Sequence, residues 1–337
     1  MTTCKIYWQQ RRDIHKEHFY SKDDDELYWK TYHHISHSFN IHRPARAIIV
    51  PNIGWRYCAK IQAKAYRQID TTGIKRIFII APILNYFCPK KCCLAALDSY
   101  LSPIFRISID RTVMGELEST KLFSRMEWKK DEEELTIEAQ LPFITTLLKG
   151  MKGKFTIVPV YVGALGLEEQ KIFGAIFSPY LNNPENFFVF SLNFHHWGKY
   201  FDFVHRFPKD KTVVETLDKL LSRGIEAIQP LDPEKYLDYC LFTPGKFVGR
   251  HVIGILMYAV QTIKNREIEK LNEMDEDQRL KAFYTKFYLK FLDKGFSHPN
   301  CTEDDHCFSF TSASLTMTKE KFIYEEQVPD GPLDKRQ

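Results

Sequence analysis

The sequence predicts an α/β fold, a mostly parallel central sheet flanked by helices. Three observations carry that expectation. Four short apolar runs recur along the chain. Each is near-continuous rather than alternating, as strands covered on both faces are. Amphipathic segments of helical period fall between them, and strands alternating with helices build layered parallel sheets.

The first run, Ala45–Val50, ends at Pro51, where Asn52 and Gly54 open the loop of IIVPNIGWRYC. Ile61, Ala65 and Ile69 follow at helical spacing. The second run, Arg76–Ile80, leads into a loop from Pro82 to Asn85. The acidic stretch DEEELTIEAQLP, Asp131–Pro142, is expected to be mostly solvated, and a helix starts after Pro142 and closes over Leu147–Met151. The third run, Phe155–Val162, precedes a helix over Glu168–Leu181 that groups Ile172, Ala175, Ile176 and Tyr180. The fourth, Phe187–Leu192, enters the loop SLNFHHWG, and Val213–Ile228 is a further helix through Leu217, Leu220 and Leu221.

No repeat and no glycine-serine or proline-rich linker divides the chain, so a single domain is expected over residues 1–318. Within it, Lys264–Arg279 (KNREIEKLNEMDEDQR) is a charged helical stretch that continues into KAFYTKFYLKFL. Residues 319–337 are expected to form a charged, flexible tail.

The 337 residues are 44% apolar and 27% charged, ordinary for a soluble globular protein. A net charge of +4 without a long block of like charge argues against a nucleic-acid or acidic-membrane partner. The N-terminal MTTCKIYWQQRRD lacks the apolar run of a secretory signal, and no window reaches the length of a membrane span. A cytoplasmic protein with reduced cysteines is the expectation.

In open parallel sheets ligands collect beyond the carboxyl ends of the strands. That rule selects Asn52, Asn85, Asn193, His195 and His196. An amide is a weak, uncharged ligand and neither an acid nor a nucleophile, whereas a transition metal ordinarily takes three donors from His, Cys or carboxylate. No metal and no cofactor is expected. Neighbours in an extended segment face opposite ways, so only one of His195 and His196 can enter the crevice. His196 reads as a packed residue or as an acid or base; without a partner or an orienting group, the packed reading leads. Glu138 is the carboxylate of the acidic stretch expected to reach the crevice.

CPKKCC, Cys88–Cys93, has the density of a zinc half-site but no second half. Lys90 and Lys91 would favour a thiolate, so a reactive cysteine stands beside the preferred reading of ordinary thiols. HPNCTEDDHC, His298–Cys307, matches no zinc spacing and reads as a solvated loop, while His33 and His37 at i and i+4 read as a surface helix. Walker, dinucleotide-binding and serine-elbow patterns are lacking.

The blocks RPARAIIVPNIGWRYCA, KRIFIIAPILNYF, RISIDRTVMGEL, DEEELTIEAQLPF, FTIVPVYVGAL, FFVFSLNFHHWG and GRHVIG resemble, in sequence and order, the Memo family, the mediators of cell motility. The resemblance runs from about His15 to Thr318. It implies a fold similar to that of the class III extradiol dioxygenases, whose relatives use non-haem iron. It also implies metal ligands where this chain has Asn52 and Asn85, both histidine in the family, and Val248, a cysteine in the family. Asn193 replaces an aspartate, Leu135 and Gln140 replace histidines, and Glu138 and His196 are kept. Scaffold residues such as Pro51, Gly54, Tyr57, Pro82, Trp197 and Gly198 remain.

A pseudoenzyme is therefore expected, a binding or adaptor protein in signalling and cell motility. Its vestigial pocket would comprise Asn52, Asn85, Asn193, His196, Val248 and Glu138. Arg56, Tyr57, His195, Trp197, Arg250 and His251 would help bind a peptide, with phosphotyrosine as one form. The alternative is a metal- or thiol-dependent oxidoreductase rebuilt on His195, His196, Glu138 or Cys88–Cys93. Relative to the family, residues 264–281 read as an insertion.

Overall fold

The computed structural model describes residues 10–11, 21, 23–102, 104–244, 247–298, 300–302 and 304–321. Most of the N-terminal stretch and residues 322–337 of the expected tail lie outside them.

The elements in chain order are α1 (Asp24–Ser36), β1 (Ala47–Val50), α2 (Trp55–Tyr66), β2 (Arg76–Pro82), β3 (Cys92–Leu94), α3 (Arg111–Ser119), β4 (Phe123–Arg125), α4 (Trp128–Glu133), α5 (Leu135–Glu138) and α6 (Leu141–Leu147). They continue with β5 (Thr156–Val162), α7 (Leu167–Asn182), β6 (Asn186–Ser191), β7 (His196–Trp197), α8 (Val213–Ile228), α9 (Pro233–Phe242), α10 (Arg250–Asn272), α11 (Glu276–Arg279), β8 (Phe283–Phe296) and β9 (Cys307–Lys321). Three short pieces, Gln10–Arg11, Ser99–Tyr100 and Ile107–Ser108, form a small side sheet.

The nine-stranded sheet runs β7-β9-β1-β6-β2-β5-β3-β4, with β8 paired to β9. The four apolar runs are its centre: β1, β6, β2 and β5 pair in parallel, with Ile48 opposite Val189 and Ile79 opposite both Val189 and Pro159. Nearly every residue of these strands is buried, which is why no period-two pattern marks them. The flanks are mixed. β3 runs antiparallel to β5, and β9 antiparallel to β1, β7 and β8. Parallel pairing therefore describes the core of the sheet and not its β9 side.

Helices α7 and α10 pack on each other, and Gly174 permits the approach, since a Cβ there would sit 2.5 Å from the Tyr258 Cβ. Helices α1, α2 and α6 form another layer. The charged stretch Lys264–Arg279 is no separate module. Its first part is the outer half of α10, whose inner half buries Val252, Ile253, Ile255, Leu256 and Met257 in the main core. KAFYTKFYLKFL becomes β8, whose Thr285 and Leu289 turn inward. Lys319–Lys321, assigned to the tail, end β9, where Lys319 Nζ donates to Glu267 Oε1 at 2.5 Å and Thr285 Oγ1 at 2.6 Å. Among the described residues no helix is long and apolar enough to cross a membrane.

Candidate functional site

A cleft of about 500 Å³ opens beyond the carboxyl ends of β1, β2 and β6. It is lined by Asn52, Ile53, Arg56, Tyr57, Leu84, Asn85, Glu133, Glu134, Asn193, His196, Phe201 and Phe308, among others. The three crevice loops converge there as the strand topology requires.

The loop after β1 rests on a buried amide network. Gln140 Nε2 donates to the Pro51 carbonyl at 2.9 Å and to Ser191 Oγ at 2.9 Å. Its Oε1 accepts from Gln62 Nε2 and from the Tyr66 hydroxyl, both at 3.2 Å. Gln62 Nε2 also donates to the Pro51 carbonyl at 2.8 Å, and Ser191 Oγ donates to the Thr136 carbonyl at 2.5 Å. Gln140, where the family resemblance places a histidine, thus works beneath the cleft as a structural clamp.

Above this network Asn52 and Asn193 hold each other. The Asn52 backbone N–H donates to Asn193 Oδ1 at 3.1 Å, and Asn193 Nδ2 donates to Asn52 Oδ1 at 2.6 Å. The first bond needs an oxygen from Asn193, so the orientation of both amides follows. Asn52 is 2% exposed, and its Nδ2 has no hydrogen-bond partner. His196 stands edge-on to Phe308 and Phe201, with ring centroids 4.5 and 5.0 Å away. Its Nε2 is likewise buried without a partner. Burial, with a smaller push from His195, holds its pKa down to about 3, so the ring is neutral at physiological pH.

On the second loop the Asn85 side chain is exposed, and its Nδ2 donates to the Glu133 carbonyl at 2.7 Å. The backbone N–H groups of Leu84 and Asn85 donate to Glu134 Oε1 at 3.0 and 2.6 Å. Arg56 is exposed with its guanidinium 4.7 Å from the centre of the Tyr57 ring.

Several expected site residues lie elsewhere. His195 points away from His196, as strand alternation demands, and is fully buried near Phe203 and Phe247 with neither ring nitrogen partnered. Burial lowers its pKa to about 4. Trp197 shares that inward side and packs on Phe203 at 5.8 Å. Val248 is half-buried beside the loop, its N–H donating to the Phe194 carbonyl, but it does not line the cleft.

Arg250 and His251 bond to each other at the start of α10, Nε to Nε2 at 3.1 Å, away from the cleft lining. Burial and then the Arg250 charge lower the His251 pKa to about 4.

The acidic stretch is largely buried rather than solvated, because its carboxylates are bonded. Asp131 accepts from the Ala96 N–H and from the hydroxyls of Tyr100 and Tyr161 at 2.7 to 2.9 Å. Glu138, the last residue of α5, is fully buried and does not line the cleft; Glu134 is the buried carboxylate that does. The sequence reading also missed Gln62, Phe201 and Phe308. Phe308 lies on β9, and recognising the β8–β9 hairpin would have brought it to the site.

This donor set does not fit the family's metal. The Asn52 oxygen already accepts from Asn193, Val248 has no donor, and the Asn85 side chain is turned to a carbonyl. Among the described residues no group of three or more His, Cys, Asp or Glu is placed to hold a metal ion.

A doubly flanked α/β sheet with one cleft at the carboxyl ends of its central strands is thus the class of protein. The profile of the family described as "Memo-like protein" matches residues 11–280, and the chain belongs to the Memo family. It is similar to Protein MEMO1 of Xenopus laevis, 34% identical over 258 residues, which cover 77% of this chain and 86% of that one. Protein MEMO1 of Homo sapiens is 37% identical over 223 residues, 66% of this chain and 74% of that one. Protein memo-1 homolog of Caenorhabditis elegans is 34% identical over 221 residues, 64% of this chain and 61% of that one. A solved structure of an uncharacterized Escherichia coli protein aligns at 10% identity over 79% of this chain and 98% of that one, with a TM-score of 0.44.

Proposed function

We propose that this chain is a Memo-family pseudoenzyme that acts by binding, an adaptor whose cleft takes a segment of a protein partner. The single observation that carries the reading is the Asn52–Asn193 pair. It occupies the amide oxygen that a metal would need, and both Asn52 and His196, each with a buried side-chain nitrogen that lacks a protein partner, line the cleft. Two buried polar nitrogens without partners are rare unless water or a ligand meets them. The cleft lies in the size range of ligand sites, with Ile53, Phe201 and Phe308 as apolar walls. Arg56 supplies the cation for an acidic or phosphorylated group, which makes a phosphotyrosine peptide the first occupant to test. Signalling and cell motility are the setting that the family resemblance implies.

The rival is a rebuilt oxidoreductase. Against its metal-dependent form stand His195 and Glu138, which do not share the cleft with His196.

Fluorescence polarisation of a labelled phosphotyrosine peptide and its unphosphorylated counterpart against the full chain tests the proposal. Binding should weaken about tenfold in His196→Ala, the effect of one buried hydrogen bond, and Arg56→Ala should erase the preference for phosphate. Unchanged affinity in both variants would place binding elsewhere. Stoichiometric iron, copper or zinc in purified protein would overturn the metal-free reading.

A further inference from the structure

The loop that carries Leu84 and Asn85 to the cleft returns to the sheet through CPKKCC, and there two thiols meet. Cys88 Sγ and Cys93 Sγ are 3.2 Å apart, within hydrogen-bond contact and unbonded as free cysteines. Nothing in the cleft chemistry uses them.

Their approach is built into the backbone. Lys90 adopts φ +58°, the left-handed region that costs a non-glycine residue energy and persists only where its surroundings hold it. The surroundings here are a set of backbone bonds to the strand end after β5. Lys90 N–H donates to the Ala164 carbonyl at 2.8 Å, Ala164 N–H to the Cys88 carbonyl at 2.8 Å, and Gly163 N–H to the Lys91 carbonyl at 3.1 Å. Gly163 must be glycine for this, because a Cβ would lie 2.0 Å from the Cys88 oxygen and 2.7 Å from the Lys91 oxygen. On the other side Cys93 is fixed in β3 opposite Tyr161.

We infer that Cys88 and Cys93 are a reversible thiol–disulfide pair that locks the Leu84–Asn85 wall of the cleft to the sheet. The two sulfurs differ in role. Cys88 is half-buried and can be reached from solvent, while Cys93 is 4% exposed. Either thiol can donate in the bond they share, so whichever ionises is stabilised by the other, and the charge of Lys91 favours the thiolate of both. Exposure sets the order: Cys88, the sulfur that an oxidant in solvent can reach, reacts first, and the enclosed Cys93 is the resolving thiol.

With hydrogen peroxide as the oxidant, the Cys88 sulfur attacks one peroxide oxygen, the hydroxide that leaves takes up the proton the Cys88 thiol gave up and becomes water, and Cys88 becomes the sulfenic acid. The Cys93 sulfur then attacks the Cys88 sulfur, its proton going to the departing hydroxyl as water. Two thiols lose two electrons, peroxide gains them, and the products are one disulfide and two waters. A dithiol reductant reverses the change by thiol–disulfide exchange. Between the Glu134 anchor at Asn85 and the disulfide lie only Tyr86 and Phe87, and Phe87 is 80% exposed. Closing the short ring would restrict that span.

The inference stands apart from what the cleft binds, and its test uses no ligand. The full chain is treated with hydrogen peroxide, alkylated, digested without reductant and mapped by mass spectrometry, alongside Cys88→Ser and Cys301→Ser. Amide hydrogen exchange is followed over residues 83–91. A Cys88–Cys93 cross-link that a dithiol reverses is expected in the wild type and in Cys301→Ser, and is lost in Cys88→Ser. Exchange over residues 83–91 should slow at least about threefold on oxidation in the wild type and in Cys301→Ser, and not in Cys88→Ser. A cross-link at Cys301–Cys307 instead, separate alkylation of Cys88 and Cys93 after peroxide, or unchanged exchange on oxidation would each overturn the inference.

Discussion

Two tiers of amides sit one above the other at the end of β1, and they behave differently. In the lower tier every polar atom of the Gln140 side chain has a protein partner: the Pro51 carbonyl, Ser191, Gln62 and Tyr66. In the upper tier Asn52 and Asn193 satisfy each other only in part, and Asn52 Nδ2 and His196 Nε2 are left over at the cleft. Gln140, with every side-chain polar atom bonded, fixes the backbone above it even though Gln62 Oε1 beside it lacks a partner. Nitrogens left unpaired on the residues that line the cleft instead cost stability until something binds. The frame of the site and its recognition surface are thus separable. The lower tier should answer to stability measurements and the upper tier to binding measurements.

The largest effect is expected from the lower tier. Gln140→Leu keeps the side-chain volume but removes its bonds to the Pro51 carbonyl, Ser191, Gln62 and Tyr66 together. It leaves the Tyr66 hydroxyl only a 3.5 Å contact with the carbonyl of residue 140, and should cost about 3 kcal/mol of unfolding free energy in urea. A cost below about 1 kcal/mol would show the tiers to be equivalent and end the comparison.

The parallel core of this molecule was legible because its four strands are buried on both faces and read as unbroken apolar runs. The β8–β9 hairpin was not, although its clue is present: Thr285, Phe287, Leu289 and Phe291 alternate with Lys286, Tyr288 and Lys290. The charged run before it hid the change from helical to strand period. At the site, the convergence of Asn52, Asn85, Asn193 and His196 on one cleft was legible from the rule that ligands gather at the carboxyl ends of parallel strands, whereas the fate of the acidic stretch was not. Whether Glu134 or Glu138 faces the cleft depends on how α5 is rotated, and a helix of four residues carries too little pattern to show it.

Next in size is a pH effect from the imidazole beneath the cleft. Burial depresses the folded pKa of His195 to about 4, below the ordinary value near 6.5 of the unfolded chain. Between those values the unfolded chain binds more protons, so stability is full above the upper value and falls as the pH drops towards the lower one. From pH 7 to pH 5 this one residue should remove about 2 kcal/mol. His196 and His251 shift in the same direction, so the comparison that isolates His195 is between wild type and His195→Met, whose unfolding free energy should depend less steeply on pH. Parallel pH profiles would mean that water reaches the His195 ring.

Asn193→Ala tests the upper tier directly. It removes both bonds of the amide pair, and the Asn52 backbone N–H and Oδ1 lose their partner. A cost of about 1.5 kcal/mol is expected in urea unfolding, half that of Gln140→Leu, together with a larger proportional loss in peptide affinity. A variant that loses stability and keeps full affinity would move Asn193 into the frame.

The smallest effect belongs to Asn85, and it sharpens the comparison most. Its position is that of a metal ligand in the family resemblance, yet its side chain is exposed and bonds only to the Glu133 carbonyl, while its backbone N–H is held by Glu134. Asn85→Ala keeps the Glu134 bond and should change unfolding free energy by no more than about 0.5 kcal/mol. An exposed amide at a cleft rim contributes to affinity chiefly by direct contact, so peptide binding should weaken by about threefold, measurable by fluorescence polarisation. A stability loss as large as that of Asn193→Ala would make Asn85 part of the scaffold. The cleft would then have two anchored corners rather than one, and its recognition surface would shrink to Asn52, His196 and Arg56.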